Sequence, residues 1–373
     1  ASDEDDVIKG NGRRDVIFGG AGNDKLYGGS GNDELHGGTG NDYLNGGNDN
    51  DTYVFELGDG NDTINEERAG GTDKVLFGEG ITADDVVVTR DGNDMVLLVG
   101  NDGDTLRITS QFTDYYNRIE NFEFADGTVK TMADYYAETI TMNVSGEYSD
   151  PDDYATGTTV INASDEDDVI KGNGRRDVIF GGAGNDKLYG GSGNDELHGG
   201  TGNDYLNGGN DNDTYVFELG DGNDTINEER AGGTDKVLFG EGITEDDVVV
   251  TRDGNDMVLL VGNDGDTLRI TSQFTDYYSR IENFEFADGT VKTMADYYAE
   301  TITMNVSGEY SDPDDYATGT TVINASDKDD VIKGNGRRDV IFGGAGDDKL
   351  YGGNGNDELH GGTGNDYLNG GND

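Results

Sequence analysis

The chain contains no cysteine among its 373 residues, so disulfide bonds cannot hold its fold together. Bound metal ions are the natural substitute for such cross-links. No run of apolar residues approaches the roughly 18 that a transmembrane helix needs, and no signal peptide opens the sequence. Because Ala1 already lies inside a repeat, the missing signal peptide says nothing about where the protein is sent.

Basic residues are scarce: 25 Lys and Arg stand against 79 Asp and Glu, which gives a net charge of −54. This balance excludes nucleic acid and anionic membranes as partners and indicates cations instead. Repulsion of this size opposes a compact state unless divalent ions neutralise it. A disordered acidic chain is the alternative, but apolar strand segments and 9% aromatic residues argue against it.

Histidine is also rare. The three histidines, His36, His198 and His360, occupy equivalent positions beside a predicted strand. No HExxH or GxSxG motif occurs in the sequence. We therefore predict no catalytic residue and no enzyme activity in this chain, and we assign the histidines a surface role.

Glycine, by contrast, is abundant, and much of it lies in a nine-residue repeat. Residues 19–45 read GGAGNDKLY, GGSGNDELH and GGTGNDYLN, with glycine at positions one, two and four and aspartate at position six. Glycine permits a tight loop, the aspartate supplies a carboxylate, and a short apolar-centred strand follows. Six units fill residues 1–54, and a seventh follows from Leu57 after the insertion Phe55-Glu56. This pattern predicts a series of calcium sites.

A longer period of 162 residues lies over the short one. Residues 163–324 repeat residues 1–162 with only two substitutions. A third copy begins at Ala325 and runs to Asp373, inside its sixth nonapeptide. We therefore expect the chain to be a section of a longer tandem array.

The nonapeptide predicts an all-β fold, a parallel β-roll in which two units make one turn of roughly 18 residues. Two short-stranded sheets then stack, with the loops on opposite sides. Successive turns lie about 4.8 Å apart, so each loop lies against the loop two units further on and not against the next one. We expect calcium ions to fill the gaps between such loops.

The predicted carboxylate ligands form two stacks, Asp6, Asp24 and Asp42 on one side and Asp15, Asp33 and Asp51 on the other. Each gap thus offers two carboxylates. Ca²⁺ takes roughly six to eight oxygen ligands, so backbone carbonyls of the first four loop positions have to supply the others. The predicted ligands of the first copy are Asp6, Asp15, Gly19, Gly20, Ala21, Gly22, Asp24, Gly28, Gly29, Ser30, Gly31, Asp33, Gly37, Gly38, Thr39, Gly40, Asp42, Asp51 and Asp62. Those of the second are Asp168, Asp177, Gly181, Gly182, Gly184, Asp186, Gly190, Gly191, Gly193, Asp195, Gly199, Gly200, Gly202, Asp204, Asp213 and Asp224. Those of the third are Asp330, Asp339, Gly343, Gly344, Gly346, Asp348, Gly352, Gly353, Gly355, Asp357, Gly361, Gly362, Gly364 and Asp366.

The predicted core of the roll is thin. The inward-facing residues are Ile8, Leu26 and Leu44 from one sheet and Ile17, Leu35 and Tyr53 from the other. Burial gains about 1.5 to 3 kcal/mol per aliphatic side chain, whereas ordering the backbone costs roughly 1 to 2 kcal/mol per residue. The apolar core alone is therefore too small to order residues 1–54, and we predict that folding of this part depends on calcium.

After the repeats, each copy is predicted to continue with a small β-rich cap and a connector. Strand patterns cover 74–77 and 85–90, residues 95–99 and 105–109 flank the turn of a β-hairpin, and 132–138 form a short helix. We expect this segment to close the open end of the roll. The predicted divisions are rolls at 1–65, 163–227 and 325–373 (truncated), caps at 66–141 and 228–303, and connectors at 142–162 and 304–324.

Two features of these segments leave alternatives open. The cluster Asp150, Asp152 and Asp153 in the connector either binds a further calcium ion or forms an exposed acidic turn. The pairs at 115–116 and 135–136, all four tyrosines, either line a glycan-binding surface or pack inside the cap.

The GGxGxDxUx series resembles the RTX, or haemolysin-type calcium-binding, repeat, and the stretch 104–131 resembles the haemolysin-type calcium-binding-related domain that often follows such repeats. The chain is similar to the repetitive region of a large RTX adhesin or structural protein. This resemblance implies several Ca²⁺ ions per copy and export of an unfolded chain by a Gram-negative type I secretion system. It also implies an extracellular or cell-surface location, where the chain folds on meeting calcium.

The RTX family includes toxins, proteases, lipases, alginate epimerases and adhesins, so the repeat alone names no activity. Near-identical copies favour a role in length, multiplicity or surface coverage. We therefore expect a structural or adhesive extender, such as a stalk, filament or matrix component. The alternative is a set of non-catalytic modules attached to a secreted enzyme or toxin. Self-association and extracellular glycans stay open as partners, and neither nucleic-acid binding nor membrane insertion is expected.

Overall fold

A computed structural model describes residues 3–66, 71–101, 103–112, 118–150, 156–228, 233–263, 265–274, 280–312 and 319–372. The fold is all-β, as predicted, with parallel strands stacked into a solenoid. The chain divides into two compact units: unit 1 comprises Ala1–Val144 and Asp150–Asn162, and unit 2 comprises Ser145–Ser149 and Ala163–Asp373. Within the described ranges, no helix has the length and apolar character needed to cross a membrane.

Strands are numbered in chain order. Those of unit 1 are β1 (Val7–Lys9), β2 (Val16–Ala21), β3 (Lys25–Ser30), β4 (Glu34–Thr39), β5 (Tyr43–Asn48), β6 (Thr52–Phe55), β7 (Asn61–Ile64), β8 (Asp73–Phe77), β9 (Val86–Asp91), β10 (Asp94–Val99), β11 (Asp104–Ile108), β12 (Ile119–Glu123), β13 (Val129–Thr131), β14 (Ile140–Asn143) and β16 (Thr159–Asn162). Those of unit 2 are β15 (Glu147–Ser149), β17 (Val169–Lys171), β18 (Asp177–Ala183), β19 (Lys187–Ser192), β20 (Glu196–Thr201), β21 (Tyr205–Asn210), β22 (Thr214–Phe217), β23 (Asn223–Ile226), β24 (Asp235–Phe239), β25 (Val248–Asp253), β26 (Asp256–Val261), β27 (Asp266–Ile270), β28 (Ile281–Glu285), β29 (Val291–Thr293), β30 (Ile302–Asn305), β31 (Glu309–Ser311), β32 (Thr321–Asn324), β33 (Val331–Lys333), β34 (Asp339–Phe342), β35 (Lys349–Tyr351), β36 (Glu358–His360) and β37 (Tyr367–Asn369). The helices are α1 (Met132–Ala137) and α2 (Met294–Ala299), and 3-10 turns cover Ala83–Asp85 and Glu245–Asp247.

In unit 1 the odd-numbered and even-numbered strands of the repeats form separate parallel sheets. β1 pairs with β3, β3 with β5 and β5 with β7, while β2, β4, β6 and β8 pair in the same way. The register places Ile8 beside Leu26 and Leu26 beside Leu44, a step of one 18-residue turn. This confirms the predicted contact between each loop and the loop two units further on.

The core of the roll lies between these two sheets. Because strand side chains alternate between faces, the central apolar residue of each nonapeptide points inward. Leu26 and Leu35 are fully buried, Leu44 and Tyr53 are almost so, and Ile8 in the first turn is only partly buried. The predicted inward set is confirmed.

The segment after the repeats continues both sheets of unit 1. β11 pairs in parallel with β7, and β12 pairs in parallel with β8. β9, β10 and β11 form antiparallel pairs, which include the predicted hairpin, and β14 then returns parallel to β9. The stack of the roll therefore runs on into this segment, and the division at 65/66 stays a prediction.

The predicted short helix is present as α1, which begins after Thr131. The backbone N–H and the hydroxyl of Thr131 both donate to Asp134 Oδ2, each at 2.7 Å, in a capping-box arrangement. α1 buries Tyr135 and Tyr136, and the Tyr135 ring meets Phe122 edge-on at 5.0 Å. For this pair the packing alternative holds, whereas residues 115–116 lie outside the described residues.

The second connector, within unit 2, supplies strands to the roll that follows it. β31 pairs in parallel with β33, β30 with β32, and β32 with β34. The third copy therefore begins on sheet edges that the second copy has already formed.

Candidate calcium sites

The aspartates at position six form continuous columns along each side of the roll. The backbone N–H of Asp24 donates to Asp42 Oδ1 at 2.6 Å, and that of Asp33 donates to Asp51 Oδ1 at 2.7 Å. Each link joins equivalent residues one turn apart. The linked columns are Asp6-Asp24-Asp42-Asp62 and Asp15-Asp33-Asp51 in the first copy, Asp168-Asp186-Asp204-Asp224 and Asp177-Asp195-Asp213 in the second, and Asp330-Asp348-Asp366 and Asp339-Asp357 in the third. The structure thus brings together the carboxylates that the sequence assigns to shared gaps.

The second oxygen of the aspartates inside these columns has no such partner among the described residues. In the first copy, five Oδ2 atoms are buried without a hydrogen-bond donor among the described residues: those of Asp24, Asp33, Asp42, Asp51 and Asp62. In the later copies the same holds for Oδ2 of Asp186, Asp195, Asp204, Asp213, Asp348 and Asp357. Burying a carboxylate oxygen without a partner is costly, and a bound cation removes that cost. The donor set therefore fits Ca²⁺, which prefers oxygen ligands.

The first glycine of each repeat lies directly against this oxygen. A Cβ built on Gly28 would come within 2.4 Å of Asp33 Oδ2 and within 2.6 Å of the Gly46 carbonyl oxygen. A Cβ on Gly19 would likewise meet Asp24 Oδ2 at 2.5 Å. Any larger residue would fill the space in which carboxylate and carbonyl oxygens converge, so glycine at this position keeps the cradle open.

Gly29 and Gly31 contribute differently, through backbone conformation. Their φ values of 112° and 107° lie in a region that other residues rarely adopt. The loop can therefore turn tightly around the gap. These carbonyls stay predicted ligands.

The electrostatics of the columns favour a cation. Burial raises the pKa of Asp51 to about 7, of Asp62 to about 8 and of Asp195 to about 9. Neighbouring carboxylates act in the same direction, as Asp73 does on Asp51 and Asp42 does on Asp62. A divalent ion between the carboxylates would offset both causes and hold them ionised.

Sequence reasoning missed how far one column extends. The backbone N–H of Asp51 donates to Asp73 Oδ1 at 2.7 Å, and that of Asp73 donates to Glu120 Oε2 at 2.7 Å. Asp73 opens the stretch DKVL, which keeps the aspartate-strand half of the nonapeptide, and Gly71 keeps the glycine of position four. The paired glycines of positions one and two are replaced by Arg68 and Ala69. That remnant was the available signal, and the 22-residue spacing from Asp51 obscured it.

The first aspartate of the connector cluster lies in a different environment from the repeat aspartates. It is Asp150 in the first copy and Asp312 in the second. Asp312 Oδ1 is 2.9 Å from Arg252 Nη1, and Asp312 Oδ2 is 2.6 Å from Arg337 Nη2, with these side chains buried. In unit 1, Asp150 Oδ1 is 2.7 Å from Arg90 Nη1. This carboxylate is therefore buried and paired with arginine and is not part of an exposed acidic turn, whereas calcium binding by it stays a prediction. Asp152 and Asp153 lie outside the described residues.

The histidines lie on the outer face of their strands. His36 Nε2 is 3.0 Å from Glu34 Oε1, and the His36 ring stacks on Phe18 with centroids 4.3 Å apart. His198 and Phe180 repeat this arrangement in the second copy.

Two protein-family models match the repeats and part of the segments that follow them. The RTX calcium-binding nonapeptide repeat (4 copies) matches residues 1–35, 27–64, 162–197, 189–226, 324–359 and 351–373. The Haemolysin-type calcium binding protein related domain matches 94–134 and 256–296. The comparison with curated proteins gives no match.

Among solved structures, the chain is similar to the extracellular lipase LipA from Serratia marcescens, with 20% identity and a TM-score of 0.25. The alignment covers 73% of this chain and 37% of the lipase chain.

Proposed function

Because this chain belongs to the RTX calcium-binding repeat proteins, we propose that it is an extracellular array that folds when it binds calcium after secretion. The observation that carries this proposal is the row of buried Oδ2 atoms, which lack donors among the described residues and repeat with the turns of the roll. In the ion-free state these groups oppose folding through repulsion and desolvation. Calcium binding and folding are then one event.

The calcium concentration outside a cell suits such sites. Modules with few carboxylates per ion resemble extracellular calcium sites, which bind at roughly 10⁻⁴ to 10⁻³ M. They would stay empty in cytosol and fill outside. Export of an open chain by a type I system of a Gram-negative bacterium is consistent with this switch, and we include that route in the proposal.

We further propose that the array acts as a structural or adhesive extender. The support is the near identity of the copies, since residues 163–324 differ from 1–162 at only two positions. A secreted enzyme would need such a module only once. In an extender, by contrast, every copy adds length or a further binding surface. Contacts with glycans or with other copies of the chain would then occur on the exposed faces.

Electron microscopy and small-angle scattering with and without calcium test this proposal. The 373-residue chain is compared with one carrying a further copy of 163–324. In calcium, the longer chain should gain length, because each added turn of a roll adds about 4.8 Å. In chelator both should be expanded and poor in β structure. A full β spectrum in chelator would contradict the calcium switch, and an unchanged length would contradict the extender role.

A further inference from the structure

Three buried carboxylates meet where the repeats end. Side-chain oxygens of Asp51, Glu66 and Asp73 all lie within 4.8 Å of one another. All three residues are buried: the exposed fraction of the surface is 1% for Asp51, 5% for Glu66 and 7% for Asp73. Of the three, only Asp51 occupies position six of a repeat. Glu66 follows β7, and Asp73 begins β8.

The second copy contains the same arrangement. Asp213, Glu228 and Asp235 are buried, and their ligand oxygens also lie within 4.8 Å of one another. Each carboxylate destabilises the ionised form of its neighbours, since Asp235 raises the pKa of both Asp213 and Glu228 after the larger effect of burial. Three like charges in one buried cluster need a counter-charge.

One oxygen of the cluster is directly available to a ligand. Asp51 Oδ2 is buried and has no hydrogen-bond donor within the described part of the chain, and Asp213 Oδ2 repeats this in the second copy. The other Asp51 oxygen accepts the N–H of Asp33, and Asp73 Oδ1 accepts the N–H of Asp51. The backbone therefore fixes both aspartates, while Asp51 Oδ2 is buried with no donor among the described residues.

Tyr53 orients the third member. The N–H of Gly46 donates to the Tyr53 hydroxyl oxygen at 2.6 Å, and the Tyr53 hydroxyl is hydrogen-bonded to Glu66 Oε1. Tyr53 is itself buried, so this link holds Glu66 toward the aspartates. Preorganised oxygen ligands favour binding because little ordering remains to be done.

We propose that Asp51, Glu66 and Asp73 form a calcium site that ends the roll, and that Asp213, Glu228 and Asp235 form its counterpart. The donors are all carboxylate oxygens, which suits a hard cation such as Ca²⁺ rather than Zn²⁺. Three carboxylates exceed the two of a repeat gap, so this site binds calcium more tightly and fills first. The inference rests on the proposed calcium binding and adds two residues outside the repeats to it.

The test removes one charge from each site. The double variant Glu66→Gln, Glu228→Gln keeps side-chain size and an acceptor for the tyrosine, and the control Glu79→Gln, Glu241→Gln removes the same charge from exposed positions. Calcium binding to the full chain is measured by competition with a chromophoric chelator. In the variant, the tightest calcium-binding step should weaken about tenfold or more. The control should bind calcium as the wild type does.

Two outcomes separate this site from the proposed function. If the wild type binds calcium and the Glu66→Gln, Glu228→Gln variant binds it identically, the inference is wrong while calcium-dependent folding stands. If the wild type itself binds no calcium, the proposed function fails and the inference fails with it.

A second measurement does not depend on the folding of the glutamine variant. Terbium replaces calcium at oxygen sites, and tyrosine in contact with a site sensitises its emission. Tyr53→Phe with Tyr215→Phe leaves all three carboxylates in place. The first two equivalents of terbium should bind to this variant with most of the sensitised emission lost. Emission equal to that of the wild type would overturn the assignment.

Discussion

Each aspartate inside a column divides its two oxygens between two tasks. Asp33 Oδ1 accepts the backbone N–H of Asp15 at 2.7 Å, and Oδ2 is buried beside Gly28 with no donor among the described residues. Asparagine keeps one carbonyl oxygen that can accept the backbone N–H. It lacks the negative charge and the second oxygen that would bind the ion. The contribution of the fold and that of the ion can therefore be separated at a single position.

Asp33→Asn should keep the β-roll at saturating calcium but raise the calcium midpoint of folding. The expected loss is about 1.5 to 3 kcal/mol of calcium-linked stability, the usual value of a contact to a charged group. Circular dichroism during calcium titration measures it. The control is Asp84→Asn, which removes a carboxylate from an exposed turn. Identical midpoints for both variants would contradict the shared-gap arrangement.

Because of the raised pKa values, the stability of the fold should depend on pH in opposite directions with and without calcium. In the ion-free fold, burial raises the pKa of Asp51, Asp62 and Asp195 to about 7, 8 and 9, above the ordinary 3.8 of an unfolded chain. Protonation then favours the folded state, so ion-free stability is greatest below pH 3.8 and falls as the pH rises from there through the raised pKa values of about 7 to 9.

Circular dichroism in calcium-free buffer should therefore show more β structure at pH 5 than at pH 9. In calcium the sign reverses, because the ion binds the ionised carboxylates, and the calcium midpoint should rise on acidification. Gain of β structure with rising pH in calcium-free buffer would contradict this linkage.

At the scale of the element, strand and loop divide the nonapeptide between them. The strand half buries one apolar side chain per unit, and the loop half leaves room for an ion. Gly28 and Gly12 both have ordinary backbone φ values, but a Cβ on Gly28 would meet Asp33 Oδ2 at 2.4 Å, whereas a Cβ on Gly12 would meet nothing within 4 Å. Alanine substitutions at Gly28 and Gly12 can therefore be compared directly, because the two positions differ in the space beside them and neither has a φ that favours glycine.

Gly28→Ala should destabilise the roll by about 1 to 3 kcal/mol through crowding of the gap. Gly12→Ala should be neutral or stabilise it by about 0.4 to 1 kcal/mol, because alanine restricts the unfolded chain. Denaturant unfolding at saturating calcium compares the two. Equal effects would mean that the space beside Asp33 is not constrained.

These elements also show what the sequence could predict. The 18-residue step, the Asp columns and the inward residues Leu26 and Leu35 follow from spacing alone, since a fixed period leaves one stacking register. Glu66 and Asp73 could not be found in this way. They lie outside the period, and only the fold brings them to Asp51.

At the scale of the whole molecule, unit 2 contains a buried cluster that connects its successive segments. Asp312 of the connector lies between Arg252 of β25 and Arg337 of the third roll, and Arg252 stacks on Phe274 at 4.5 Å. For Asp150, the equivalent residue of the first copy, the sequence suggested a calcium ligand or an exposed acidic turn, because the arginines lie far away along the chain. Their pairing depends on tertiary structure.

Asp312→Asn should destabilise unit 2 by about 3 to 5 kcal/mol, because it leaves buried guanidinium groups without their counter-charge. Glu309→Gln is the control: its partner Lys333 lies at 3.3 Å and both side chains are exposed, so a loss of about 0 to 1 kcal/mol is expected. Thermal unfolding in calcium measures both. Similar melting temperatures would show that the cluster contributes little.

The aspartate columns have a direction, and it restricts how such rolls can associate. In every link the amide belongs to the earlier turn and the carboxylate to the later one, as between Asp24 and Asp42. Each loop therefore presents carboxylate acceptors toward the earlier turn and backbone donors toward the later turn. Two identical faces cannot satisfy each other, which disfavours a two-fold symmetric dimer through these faces. If such rolls associate through these faces, the contact would be head-to-tail, the heterologous type that produces open filaments.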